Sequence, residues 1–476
     1  MPELRAQDGP AIILKVVHIP FTFAPDPVGG TEIYVETLAH GLRAHGIESL
    51  IVAPSSGGID EAYEHNTLRV RRFRTAPESK YTLRELYGRG DPESAAAFAQ
   101  IIDEERPDAV HVHAFTRAVS LRLVRAAKRR GLPVFFTYHT PTVSCQRGTL
   151  MLWGREMCDG VLKVRRCTSC SLQSRGLPRW ATGPLSYMPF RFARGLEKAN
   201  LSGGIWTALR MAELVRTQHE AFYALMQEVD GIIVLSEWAR TVLVRNGVPA
   251  SKITLLQQWF PSAQDRQEPR INVAKIPLRV AFLGRADKFK GANTLVKAVR
   301  AAPRLSVEVH LYGVVQSPTE EEYWASVKSL AAHDARIQFL PPLQNDKVAS
   351  LLRCYHVLAV PSRWVENRPL VVLEAFAAGT PVIGSNLGGI AELVRHEEDG
   401  LLVEPENVRA WADALRRCAE DRDLLARLRK SAQLPRKMVD VADETAQLYH
   451  KHLNFSKRPC WNSITKTICP NQKADC

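Results

Sequence analysis

Pro361-Ser362-Arg363-Trp364-Val365-Glu366-Asn367-Arg368-Pro369-Leu370-Val371-Val372-Leu373-Glu374-Ala375 follows a short β-branched run at 357–360 and leads into residues with helical spacing. An apolar strand, a polar turn and a helix in that order make half of a parallel βαβ unit. A proline at 369 suits the first turn of the helix. Glu366 then lies on the loop and Glu374 about two turns beyond it, so two carboxylates can face one crevice from different heights. Such a pair can hold hydroxyls of a sugar and a ribose while N–H groups at the helix start address a phosphate. The bland reading of Glu374 is an ordinary surface residue of its helix.

The same alternation extends outward from this stretch. Residues 278–283, 307–311, 337–339 and 381–383 read as further strands separated by helix-length segments. Toward the N-terminus, 11–17, 49–53, 109–112, 133–137, 231–235 and 253–256 read as strands, and 31–44 and 117–130 as helices. With 476 residues, the chain exceeds a single typical core. The expected fold class is α/β with two doubly wound domains, at 1–265 and 278–434, joined by a stretch with three prolines at 261–277. A helix at 435–454, opened by Pro435, is expected to pack back on the first domain. The polar tail 455–476, with Cys460, Cys469 and Cys476, is expected to be disordered.

In open parallel sheets, ligands bind beyond the carboxyl ends of the strands. Two more loops there carry suitable chemistry. Gly29-Gly30-Thr31-Glu32 lets backbone approach a phosphate or sugar at a helix start, and Gly284-Arg285 with Lys290-Gly291 sets two cations five residues apart. A forked guanidinium and a point-charge ammonium can clamp a diphosphate. Each loop alone is weak evidence.

The three together, with Gly379-Thr380-Pro381 and Gly388-Gly389-Ile390-Ala391-Glu392, resemble the retaining glycosyltransferases of family 4, over about residues 15–453. The resemblance implies a GT-B fold, two Rossmann-like domains facing across a cleft, and a nucleotide-diphosphate-sugar donor held mainly by the second. It implies that Arg285 and Lys290 neutralise the diphosphate, Glu374 binds ribose hydroxyls and Glu366 contacts the donor sugar. Backbone amides from Asn367 through Arg368, Leu370 and Val371 would assist. These cations would replace a catalytic metal. Gly29 and Gly30 would join the donor-binding residues, and the first domain would otherwise serve the acceptor, a glycan or lipid-linked molecule. A catalytic histidine is implied there, with His113 the first match and His139 the second; a strand histidine is otherwise more often a core residue. Other GT-B activities, such as a nucleotide-sugar epimerase, and a non-catalytic binder of nucleotide sugar or nucleic acid are the alternatives. No nucleic-acid motif is recognisable, so no nucleic-acid partner is expected.

Charge and cysteine usage add a second theme. The net charge is +13, and residues 115–180 hold thirteen basic and two acidic residues. A local basic surface attracts anionic membrane, phosphorylated lipid or nucleotides, unless it is merely solvated. No apolar run reaches the roughly 18 residues of a spanning helix, and the first ten residues hold Glu3 and Asp8 and no signal-like apolar core. The expected location is cytoplasmic, peripheral on the inner face of a membrane if Arg147, Arg165, Arg166 and the stretch 187–194 meet anionic lipid. Within the insertion 140–180, Cys145, Cys158, Cys167 and Cys170 end in a Cys-x2-Cys pair. A structural zinc site is expected; free or redox-active thiols and disulfides are the alternatives.

Overall fold

The computed structural model describes residues 14–453 apart from 27–28, 56, 78–80, 200, 202, 257–276 and 434. The start of the expected first strand, the 261–277 stretch except Pro277, and the 455–476 tail lie outside the described residues.

The first sheet is built from β1 (Leu14–Ile19), β2 (Ile47–Pro54), β3 (Glu61–His65), β4 (Leu68–Phe73), β5 (Ala109–Val112) and β6 (Val134–Tyr138). After a two-residue-per-strand hairpin, β7 (Met151–Leu152) and β8 (Glu156–Met157), it is completed by β9 (Gly231–Val234) and β10 (Ile253–Leu255). Its order is β10-β9-β6-β5-β1-β2-β4-β3. Only the edge pair β3–β4 is antiparallel. Side chains alternate along each strand: Leu14 and Val16 enter one apolar cluster, Val17 and Ile19 the cluster on the opposite face. Burial on both faces is why these strands read as continuous apolar runs.

The second sheet contains β11 (Leu278–Arg285), β12 (Val307–Val314), β13 (Ile337–Leu340), β14 (Val357–Val360), β15 (Val382–Ser385) and β16 (Gly400–Val403). It is all parallel, in the order β13-β12-β11-β14-β15-β16. Strand order reverses between β5 and β1 in one sheet and between β11 and β14 in the other. The loops leaving β1, β11 and β14 at those reversals are the three singled out above, where the crevice of a doubly wound sheet forms.

The helix Met438–His452 belongs to the apolar cluster of the first sheet through Val441, Ala442, Ala446 and Tyr449. Its Tyr449 hydroxyl lies 2.6 Å from Nδ1 of His111 on β5. Pro435 precedes this helix rather than opening it, and Pro369 caps the helix Leu370–Ala377 rather than entering it. The helix expected at 117–130 is shorter, Leu121–Lys128, started by the Ser120 side chain accepting from Arg122 N. No helix among the described residues is long and apolar enough to cross a membrane.

Candidate functional site

The carboxyl ends of the two sheets border a cleft of about 500 Å3. Gly29, Gly30, Glu32 and His139 line it from the first domain, and Arg285, Lys290, Glu366, Asn367, Arg368, Leu370, Val371 and Glu374 from the second. Its center is an ion pair: Lys290 Nζ donates to Glu366 Oε1 at 2.7 Å, and Ser362 Oγ donates to the same oxygen at 2.6 Å. Burial alone would push the Glu366 carboxyl up; Lys290 and the Ser362 hydroxyl outweigh it and hold the group below its ordinary range. Glu374 sits in the same wall, and burial pushes its carboxyl up to about 7. Environment thus separates the two acids: Glu366 is held as the anion, Glu374 is poised near neutrality.

Two glycines hold the loops together. Gly291 has φ +74° and a Cβ there would lie 1.9 Å from Pro361 O, so only glycine lets the loop of Lys290 touch the loop of Glu366. The contact is fixed by Arg363 N donating to Phe289 O at 2.7 Å. Gly389 N donates to Glu366 O at 2.8 Å, and a Cβ on Gly389 would lie 1.6 Å from Asn367 O. The glycine pair 388–389 is therefore a cradle for the backbone of residues 366–367.

Arg285 is half exposed on the rim, with Asp287 and Glu320 each 3.8 Å away. Arg368 is held down to about 10 by burial, and its buried Nε has no partner among the described residues. The first N–H groups of the helix at Leu370 and Val371 have no intrahelical acceptor, and Leu370 faces Gly30 across the cleft.

Several expectations change. His113 is fully buried behind the cleft; His139 is the histidine on the wall, its Nε2 3.1 Å from His113 Nδ1. Burial lowers both, His139 to about 3, so both rings are neutral. Sequence position gives both rings to strand ends and cannot say which one the β6 turn brings forward. The Asn367 side chain crosses the cleft: Nδ2 donates to Tyr138 O at 2.6 Å and to His139 O at 3.2 Å, and Oδ1 accepts from Ser236 Oγ. It is an interdomain latch, so any ligand contact from this residue falls to its backbone. Trp238 Nε1 adds a bond to Glu366 O at 3.1 Å, and Glu392 accepts from Trp238 N and Glu237 N. Sequence reasoning gave no role to Ser362, Ser236, Trp238 or Glu392; Ser362 within the 361–375 stretch and Glu392 within the Gly388–Glu392 run were the available signals.

The basic stretch is not one surface. Arg125 and Lys128 pair with Glu228 and Asp230, and Arg130 with Asp103. Arg147 turns inward to Met151 O and Cys170 Sγ, and Arg166 is tied to Asp159, which removes both from the expected lipid-facing set. Arg165 stays exposed, stacked 4.0 Å over the Tyr187 ring. The four cysteines of the insertion are free thiols that line one small cavity of about 30 Å3. Their sulfurs do not form the expected ready-made tetrahedral set. Among the described residues, His18, His111 and His113 are the trio whose ligand atoms all fall within 4.8 Å. That trio is a hydrogen-bonded core cluster: both ring nitrogens of His111 are engaged, by Tyr449 and Thr137, and His18 bonds His113 and Ser49.

Residues 263–434 match the family model described as glycosyl transferases group 1, and residues 29–259 match the glycosyl transferase 4-like domain. The D-inositol 3-phosphate glycosyltransferase of Corynebacterium glutamicum (strain R) is 32% identical over 206 residues, 42% of this chain and 49% of that protein. Its counterpart in Arthrobacter sp. (strain FB24) is 26% identical over 83% of this chain and 82% of its own. The chain thus spans about half the length of the first of these relatives and most of the second. Among solved structures, sucrose-phosphate synthase from Thermosynechococcus elongatus superposes with a TM-score of 0.62 at 21% identity, covering 92% of this chain and 99% of that one. Anabaena HepE, solved with UDP and glucose, gives 0.60 at 18% identity, covering 92% and 100%. These likenesses show the shared two-domain fold. Two family models that divide the chain between them, laid over two Rossmann-like domains closed around one cleft, make this protein a member of the family 4 glycosyltransferases with the GT-B fold.

Proposed function

We propose that the protein transfers a sugar from a nucleotide-diphosphate-sugar to a glycan or lipid-linked acceptor, with retention of anomeric configuration. The Lys290–Glu366 pair carries this reading: a cation and an anion held 2.7 Å apart inside the cleft, where a diphosphate and a sugar would lie side by side. Arg285, Lys290 and the amides of Leu370 and Val371 would receive the diphosphate, and the unpartnered Arg368 Nε is a further donor for an anionic oxygen. These preorganised donors stabilise charge on the leaving group without a catalytic metal. In the reaction the anomeric carbon–oxygen bond to the diphosphate breaks, the acceptor oxygen bonds that carbon on the same face, and the acceptor proton passes to the departing phosphate oxygen. Glu366 and neutral His139 flank the sugar, and Gly29 and Gly30 border the donor from the first domain. A screen of nucleotide sugars with NMR of the product tests this. One donor should be consumed with its configuration kept; inverted product, or no turnover with any donor, would overturn it.

Glu374 is assigned to the ribose diol. Its carboxylate can accept from two hydroxyls, its protonated form from fewer. Because the group titrates near 7, nucleoside diphosphate affinity should rise as pH climbs through about 7, and Glu374→Gln should flatten that dependence. Calorimetry across this interval checks it; an unchanged slope in the variant would remove the assignment.

We further propose that the protein docks on anionic membrane through the helices Arg179–Leu185, Phe190–Lys198 and the start of Gly204–Glu228. Trp180, Tyr187, Phe192 and Ile205 are exposed there, beside Arg165, Arg191, Arg194 and Lys198. Exposed aromatic and basic residues on helices that pack together suit a lipid interface. Arg191→Glu with Arg194→Glu should cut co-sedimentation with phosphatidylserine vesicles several-fold; equal binding by the variant and wild type would refute the surface.

A further inference from the structure

The insertion between β6 and β9 brings four thiols to one place from three different pieces of backbone. Cys145 follows the turn Pro141–Val143, Cys158 follows the β7–β8 hairpin, and Cys167 and Cys170 lie one turn apart on the helix Val164–Gln173. All four line the same cavity of about 30 Å3, enough for one small guest, since a water needs about 10–15 Å3 of such space. Residues three apart on a helix share a face, and Cys167 and Cys170 both border this cavity. Cys170 Sγ also accepts from Trp153 N and from Arg147 Nη1, each at 3.4 Å. A backbone N–H and a guanidinium directed at the sulfur orient it, as outer partners of metal ligands do.

We propose that Cys145, Cys158, Cys167 and Cys170 hold one zinc ion, and that this ion braces the insertion against the donor-side loop of the cleft. Zinc–thiolate bonds are about 2.3 Å, so binding the ion requires the sulfurs to close inward from their present spacing. The site's position gives it a consequence. Thr149, between the first two cysteines, accepts from Val365 N at 3.2 Å, and Val365 adjoins Glu366. Downstream of Cys158, Leu162 N donates to Asn246 Oδ1 at 2.9 Å, anchoring the other end to the first domain. The metal would therefore tie the wall of the cleft to the body of the first domain while touching no substrate.

The test uses the full chain purified reduced from zinc-supplemented culture. One zinc per chain is expected by elemental analysis. Exchange for cobalt(II) should give the intense near-ultraviolet sulfur-to-cobalt band and the visible bands of a tetrahedral thiolate. Cys167→Ser with Cys170→Ser should lose the metal and lower the melting temperature, whereas Cys354→Ser, outside the cluster, should keep both. Metal-free protein that gains neither zinc nor a cobalt spectrum on titration, with all four thiols alkylated in the folded state, would overturn the proposal. A mass deficit of two hydrogens per pair in unreduced protein, showing disulfides, would also overturn it. Should the double variant fail to fold, the wild-type zinc content and cobalt spectrum decide alone. None of these readouts depends on sugar transfer, so failure here leaves the proposed function standing.

Discussion

Lys290→Ala is expected to lower sugar transfer by about 100- to 1000-fold, the usual cost of removing one preorganised donor from developing negative charge. The substitution has a second effect that separates this lysine from a surface cation. Glu366 is buried and Lys290 is its charged partner, so the variant leaves a carboxylate inside the protein without its cation, with neutral donors such as Ser362 alone to receive it. Stranding one member of a buried pair costs about 3–5 kcal/mol. Lys290→Ala should therefore melt well below the wild type, and the Glu366 carboxyl should rise toward neutral. Adding Glu366→Gln removes the stranded charge and should restore most of the melting temperature while transfer stays lost. Equal melting of the single and double variants would show that the pair is not the buried unit described above.

Gly389→Ala should be severely damaging. The added carbon would sit 1.6 Å from Asn367 O and 3.0 Å from Glu366 O, both backbone atoms that no rotamer change can move aside. Overpacking commonly costs about 1–3 kcal/mol, and displacement of catalytic groups by about 1 Å can cost 100-fold in rate. Low solubility, or folded protein with activity reduced at least that far, is expected. Gly183→Ala is the control: nothing lies within 4 Å of its Cβ position and it is within a helix, where alanine is the better residue. Wild-type transfer by Gly389→Ala would mean that the 366–367 backbone is free to relocate.

What the sequence made legible was the part governed by local rules. Fully buried strands such as Ala109–Val112 and Val357–Val360 announce themselves as apolar runs, and the glycine and proline loops that follow mark the crevice. The edge hairpin Glu61–His65 and Leu68–Phe73 escaped, because charged residues on a half-exposed edge blur the alternation. Side-chain direction across the cleft was not legible at all. Nothing local in Asn367 says that its amide reaches Tyr138, 229 residues away, or that His139 stands in front of His113. The partners of Arg147 and Arg166 were equally hidden, since net charge counts bases without saying which are already engaged by a neighbour.

The last described helix, Met438–His452, fills a socket on the first domain although the chain reaches it only after completing the second. The polypeptide therefore passes between the lobes twice, and a body pinned at two points turns about the line through them more easily than it slides. Cutting the gene once, anywhere between the sheets, would yield an amino-terminal half with a bare apolar trough where Val441, Ala446 and Tyr449 belong. A soluble stand-alone first lobe calls for transplanting that helix, supplied in trans or fused by a short linker.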